Sequence, residues 1–210
     1  MRVLAALGYG VELPKTGCCG RPLLHEGLVD KARRRATTNY RTLSAVAERV
    51  EAIVVLEPSC ASVLAEDIAW LVPEARTLRG HVKLFEEFVA ERGSPDAFGS
   101  GEPLLLHGHC HAKSLWGNDP TVAALTLPAG TDVEVVDSGC CGMAGSFGFE
   151  AEHLQVSMAM GERALFPAVR ATDRTVIAAG TSCRQQIRFG TDVKAIHPAE
   201  YLASKLVMTV

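Results

Sequence analysis

The sequence predicts an α/β fold made of two pseudo-symmetric, Rossmann-like halves with parallel sheets, on three observations. Short β-branched apolar runs alternate with helical stretches, as in folds that bury a parallel sheet under helices. A Gly-Cys-Cys-Gly motif occurs twice, at Gly17–Gly20 and Gly139–Gly142. A Ser-Cys pair follows each motif, and the interval from Cys19 to Cys60 nearly equals that from Cys141 to Cys183. A duplicated unit is the economical explanation. The turn-rich stretch Arg92-Gly-Ser-Pro-Asp-Ala-Phe-Gly-Ser-Gly101 is the one segment suited to a linker. It divides the chain into a first half, 1–92, and a second half, 103–210.

In chain order, residues 1–8 have the pattern of the last turns of a helix, with Val3, Leu4 and Leu7 on one face and Gly8 and Gly10 ending it. The beginning of the first half is therefore expected to be missing, so that this half is N-terminally truncated. Val11–Leu13 is expected as a short buried strand. Residues 27–50 are helical in pattern, with Leu28, Ala32, Ala36, Leu43, Val46 and Ala47 as core contacts. Lys31, Arg33, Arg34 and Arg35 ride on that helix as a solvated face or a dock for an acidic partner. Ala52–Leu56 is a strand leading into Glu57-Pro-Ser-Cys60, and residues 61–91 are two helical stretches broken at Pro73.

The second half opens on the strand Leu104–Leu106 and runs into His107-Gly-His-Cys-His111. A helix is expected next, then the strand Val133–Val136, the second Cys-Cys-Gly and a helix over about 150–168. The strand Thr175–Ala179 leads into Gly180-Thr-Ser-Cys183. A turn at His197-Pro198 and a closing helix over 199–206 complete the pattern. Every cysteine falls where a strand ends, the edge at which open parallel sheets bind ligands.

Of the 210 residues, 48% are apolar, enough for a packed core, and the net charge is −3. Nothing global in that balance calls for nucleic acid or an anionic membrane as partner. No apolar run approaches the length of a membrane span, and the N-terminus carries no signal-peptide pattern. Seven cysteines is an odd number, and four stand in adjacent pairs that do not form ordinary structural disulfides. A reducing, cytoplasmic setting with metal-bound thiolates is expected.

Adjacent side chains on a strand point to opposite faces, so both sulfurs of a Cys-Cys pair reach one object only if the backbone turns. The flanking glycines permit the turn. Cys110, Cys140, Cys141 and Cys183 supply four thiolates, enough for a cubane iron-sulfur cluster or a structural zinc. Helix N-termini expected after Cys110, Cys141 and Cys183 would favour the thiolate form. Buried reduced cysteines filling core space are the plainer alternative. His109 and His111 flank Cys110 either as extra ligands or as hydrogen-bonding neighbours. Cys18, Cys19 and Cys60 make a second, three-thiolate set whose missing position would lie upstream of Met1. Glycines 139, 142, 145 and 148 do not match a dinucleotide fingerprint. Ser146 and His153 form no nucleophile motif. Glu150 and Glu152 suit a helix start.

The two Gly-Cys-Cys-Gly stretches with their Ser-Cys partners resemble the duplicated cysteine-rich CCG domain. That domain occurs in the iron-sulfur subunit of glycolate oxidase, in subunits of the lactate-utilisation and anaerobic glycerol-3-phosphate dehydrogenase systems, and in the heterodisulfide reductase subunit that cleaves the disulfide. The stretches Leu106–Lys113, Val135–Gly148 and Thr181–Gln186 look closest to the C-terminal part of fused FAD-linked oxidase and iron-sulfur proteins. The resemblance covers nearly the whole chain. It implies a 4Fe-4S cluster, with zinc as the alternative, on Cys110, Cys140, Cys141 and Cys183, and first-motif ligands at Cys18, Cys19 and Cys60. It also implies an electron-transfer module, not itself the catalyst, serving an FAD-linked oxidase subunit or domain that oxidises a 2-hydroxy acid of the lactate or glycolate type. A quinone or other acceptor would be reached through that partner, and contact with the membrane would be peripheral. Where the family motif ends in Cys-x-x-Cys, here Cys60 is followed by Ala-Ser-Val63 and Cys183 by Arg-Gln-Gln186. Each half thus lacks the last cysteine, which speaks against the noncubane clusters of disulfide-cleaving relatives. A zinc-stabilised interaction domain and a thiol-disulfide reductase are the two other readings.

Overall fold

The computed structural model describes residues 1–207. The chain is a mixed α/β protein with parallel sheets. Its contacts group it into two compact units: Glu12–Phe85, and Met1–Val11 together with the chain from Glu86 onward. The units change over at 11/12 and 85/86. The stretch 92–101 is built into the second of them, through a 3-10 turn at Pro95–Ala97 and β-bridges from Phe98 to Leu206 and from Ser100 to Ala129.

Short helix α1 (Arg2–Ala6) buries Val3 and Leu4 as its periodicity requires. Val11–Leu13, expected as a buried strand, is irregular chain with Leu13 71% exposed. Val11 and Leu13 stand either side of the charged Glu12, hemmed in by Gly10 and Pro14, and pair with no strand among the described residues. Within Glu12–Phe85, α2 (Arg21–His25) precedes α3 (Val29–Ala47). Helix α3 places Ala32, Ala36, Leu43, Val46 and Ala47 inward at helical spacing. Leu28 stands at its N-cap, before the buried stripe begins, and is exposed, which corrects the expected core set. Lys31, Arg33, Arg34 and Arg35 all face solvent.

Strand β1 (Ile53–Val55) pairs in parallel with β2 (Val82–Leu84), from Ile53 opposite Val82 to Val55 opposite Leu84. The sequence pattern assigns the residues of β2 to helix, and the structure corrects this. Between the two strands run α4 (Pro58–Ser62), a π-turn at Val63–Asp67 and α5 (Ile68–Leu71), then a 3-10 turn from Pro73. Proline at 73 lacks the N–H that would continue the helix, and the break falls there.

In the other unit, α6 (Phe85–Arg92) leads toward β3 (Leu104–His107), the middle strand of a three-stranded parallel sheet. Leu104, Leu105 and Leu106 are buried on both faces, as in a sheet covered on either side. Helices α7 (Cys110–Leu115) and α8 (Asp119–Leu125) follow. Strand β4 (Val133–Val135) pairs on one side of β3, with Leu104 opposite Val133. A loop, two 3-10 turns, α9 (Leu154–Glu162) and α10 (Leu165–Arg170) lead to β5 (Thr175–Ala178). Strand β5 pairs on the other side, with His107 opposite Ala178. The helix expected over 150–168 is thus divided at Ala164. Pro167, three residues on, has no N–H for a continuous helix and its ring would meet the carbonyl of Arg163. Helix α11 (Thr181–Thr191) packs with α9 and α10 around Phe166, whose ring fills the space where Cβ atoms at Gly161 or Gly190 would sit. The chain closes on α12 (Pro198–Ser204), capped reciprocally by His197 and Glu200. Because the three strands are parallel, their C-terminal ends open on one edge of the sheet. Among the described residues no helix is long and apolar enough to cross a membrane.

Candidate metal centre

At that edge, Cys110 opens α7, Cys140 and Cys141 lie on the loop after β4, and Cys183 sits in the first turn of α11. Cys141 and Cys183 are buried, while Cys110 and Cys140 are partly exposed; all are free thiols. A ring nitrogen of His107 and the sulfurs of Cys141 and Cys183 lie within 4.8 Å of one another, a buried group able to hold a metal ion. Cys110 and Cys140 stand outside that tight group and join it through the Cys140–Cys141 pair.

The four sulfurs contact one another in a row, Cys110 to Cys140, Cys140 to Cys141 and Cys141 to Cys183. Cys140 is held far below the ordinary thiol range, first by hydrogen bonds from Cys110 and Cys141 and further by the backbone N–H groups of Gly142 and Ala144. The Gly142 N–H donates to its sulfur at 3.4 Å. Cys183 is likewise depressed, chiefly by Cys141, with His107 and His109 nearby acting in the same sense against burial. Its place at the start of an 11-residue helix favours the thiolate as well. Cys110 and Cys141 are pushed up by those same contacts and by burial. A metal group placed among the four sulfurs would displace whatever protons they hold.

The backbone of this edge is braced by polar side chains. Lys113 of α7 donates through Nζ to the carbonyls of Ser138 and Gly139. Gln186, one turn after Cys183, donates through Nε2 to the carbonyls of Cys141 (3.1 Å) and Ser157 (3.0 Å). Gly142 turns the chain at φ +105°, and a Cβ there would lie 2.2 Å from the Ser157 carbonyl. The glycines of 139–148 therefore serve turning and close packing. A Cβ at Gly180 would lie 2.3 Å from the His109 ring and 3.2 Å from the Cys183 sulfur.

No helix starts directly after Cys141, contrary to the expectation. Residues 142–146 are a turn-rich loop with positive φ at Gly142, Ala144 and Gly145, and this conformation cannot start a helix. His109 caps α7, its Nδ1 accepting from the His111 N–H at 3.1 Å. Glu150 faces His153, at 2.9 Å. The residue that sequence reasoning passes over is His107. It ends a buried strand as a single histidine, and the only available signal is its place two residues before His109 in a His-rich run.

Within Glu12–Phe85, Cys18, Cys19 and Cys60 make a smaller set. Cys19 is lowered to about 6, first by a hydrogen bond from Cys60 and then, against burial, by the Arg21 N–H and charge. Cys60 is driven far up by the same contact. Asn39, buried on α3, accepts from the Gly17 N–H at 3.0 Å and donates to the Cys18 carbonyl at 2.9 Å, fixing the loop. Arg21 reaches Ser62 Oγ (2.7 Å) and Asp67 (2.6 Å), tying α2 to the helical run that carries Cys60. The Cys18–Cys19 pair follows irregular chain and not a strand.

Fold and site together define a cysteine-rich α/β protein with a Cys/His group suited to a metal. The chain belongs to the cysteine-rich CCG domain family, which it matches over residues 1–65 and 104–188. It is 29% identical to an anaerobic glycerol-3-phosphate dehydrogenase subunit from Escherichia coli (strain K12), over 98% of this chain and 54% of that protein. It is 28% identical to D-2-hydroxyglutarate dehydrogenase of the same strain, over 96% of this chain and 20% of that protein. With lactate utilization protein A of Anoxybacillus flavithermus it shares 26% identity, over 96% of this chain and 90% of that protein. The chain thus spans about half the length of the first of these relatives.

Proposed function

We propose that the chain is an electron-transfer module of an FAD-linked 2-hydroxyacid dehydrogenase of the lactate or glycolate type, with a 4Fe-4S cluster on Cys110, Cys140, Cys141 and Cys183. The observation that carries this reading is the row of four sulfurs drawn from three elements to one sheet edge, two of them buried and two strongly acidified. Such a donor set suits a soft metal or a cluster. A buried histidine nitrogen without a hydrogen-bond partner beside it adds to the fit. Bound there, a cluster would supply one-electron exchange. The chain's own part is to gather the thiolates, to brace the loop with Lys113 and Gln186, and to keep water from Cys141 and Cys183. Cys18, Cys19 and Cys60 form the corresponding, incomplete set of the first half, and in this reading the two halves are 1–92 and 103–210. The flavin and the substrate acid belong to a partner subunit or domain, as do the route to a quinone or other acceptor and any peripheral membrane contact. The working compartment is the cytoplasm.

Anaerobic purification with iron and acid-labile sulfide analysis tests the assignment. A brown protein with about four irons per cluster is expected. Cys141→Ser should abolish the visible absorption that this cluster contributes. A colourless protein holding stoichiometric zinc would replace this reading with a zinc-stabilised interaction domain. Turnover of a heterodisulfide would replace it with thiol-disulfide chemistry at the vicinal pairs.

A further inference from the structure

We propose that His107 is itself a ligand of the metal group at the sheet edge, so that the centre carries nitrogen as well as sulfur; the inference rests on the metal-centre reading above. His107 is the last residue of the central strand, 1% exposed and held in register opposite Ala178. Its Nδ1 lies 3.0 Å from Ser138 Oγ, and its Nε2 is buried without a hydrogen-bond partner. With Ser138 as acceptor the proton sits on Nδ1 and Nε2 presents a lone pair, the arrangement by which metal-bound histidines are oriented. The Ser138 carbonyl is in turn gripped by Lys113, so the orienting group does not drift.

The ring stands among the right chemistry. One ring nitrogen of His107 shares a 4.8 Å group with the sulfurs of Cys141 and Cys183. His107 helps to hold Cys183 below the ordinary thiol range, by direct contact as well as by charge. A buried acceptor is normally paired, and an unpaired one on a ring that stands beside two sulfurs points to a ligand. His109 differs: its Nδ1 is committed to capping α7. In this arrangement the imidazole takes the place of one of the two thiolates outside that group, Cys110 or Cys140, which removes negative charge from a cluster and raises its reduction potential. His107 would thus set the centre as an acceptor able to draw electrons from a reduced flavin.

The test uses the whole chain purified without oxygen, with the cluster reduced and examined by pulsed electron paramagnetic resonance. A 14N coupling of the size given by a directly bound imidazole is expected in the unaltered protein and should vanish in His107→Gln. In His107→Cys the midpoint potential should move to lower values while iron content is kept. Iron present with no 14N coupling, or with only the weak coupling of a hydrogen bond, overturns the assignment and leaves the cluster reading standing. If the protein holds zinc and no iron, the cluster reading falls and the inference is decided by zinc X-ray absorption. An imidazole shell lost in His107→Gln supports it, and an all-sulfur shell overturns it.

Discussion

Gln186 and Gly180 show how much of the site depends on residues that hold no metal. The Gln186 amide is 2% exposed and its Nε2 serves two carbonyls and the Ser157 hydroxyl, one of those carbonyls belonging to Cys141. Gln186→Leu keeps the volume and takes the donor away from the Cys141 carbonyl and from the Ser157 carbonyl and hydroxyl. At about 1–3 kcal/mol for each unsatisfied group, the variant should lose about 2–4 kcal/mol in urea unfolding and retain less metal on gel filtration. Gly180→Ala acts through crowding. The new methyl would meet the His109 ring, which caps α7, and would approach the Cys183 sulfur. Overpacking of this kind costs about 1–3 kcal/mol. Because the displaced ring stands between two cysteine-bearing helix starts, metal content should fall more steeply than the denaturation midpoint does.

Among the elements, the edge opposite the cysteines is tied by Glu102. This residue precedes β3, accepts from Thr175 at the start of β5 (2.8 Å) and from Lys205 just after α12 (2.8 Å). The Lys205 and Thr175 hydrogen bonds hold its carboxyl below the usual range. A depressed carboxyl adds stability that is present above the unfolded value, near 4.3, and is lost as pH falls through the lower folded value. Glu102→Gln should therefore flatten the loss of stability between about pH 5 and about pH 2 in denaturant titrations. At neutral pH it should cost under about 1 kcal/mol, since the pair is open to solvent. Sequence periodicity reads these elements unevenly, for physical reasons. β3 and β5 are legible because buried parallel strands are continuous apolar runs. Val82-Lys-Leu84 is not, because three residues beside a helical pattern carry too little periodicity to declare a strand. Val11–Leu13 has the alternation of a strand but pairs with no strand among the described residues. The cysteine positions can be read from duplication, whereas His107 cannot, since its meaning lies in an unpaired nitrogen that only packing reveals.

On the scale of the molecule, the two cysteine sets differ in kind. Cys110, Cys140, Cys141 and Cys183 bring four sulfurs and a buried imidazole nitrogen, with Cys141 and Cys183 inaccessible to solvent. Cys18, Cys19 and Cys60 bring three sulfurs, Cys18 exposed and the other two partly so. A centre with one position open to solvent exchanges that ligand and surrenders metal to a chelator, whereas a closed and buried one releases it only when the surrounding fold opens. Metal loss to a strong iron chelator under anoxic conditions should therefore run in two phases, a fast one from the three-cysteine set and a slow one from the four-cysteine set. Each phase has its own signature. Cys60→Ser should remove the fast phase and leave the slow one, and Cys183→Ser should do the reverse. Adding urea below the unfolding midpoint should speed the slow phase, because that release depends on local opening, and should leave the fast phase nearly unchanged. A single phase insensitive to Cys60→Ser would mean that the three-cysteine set holds no metal.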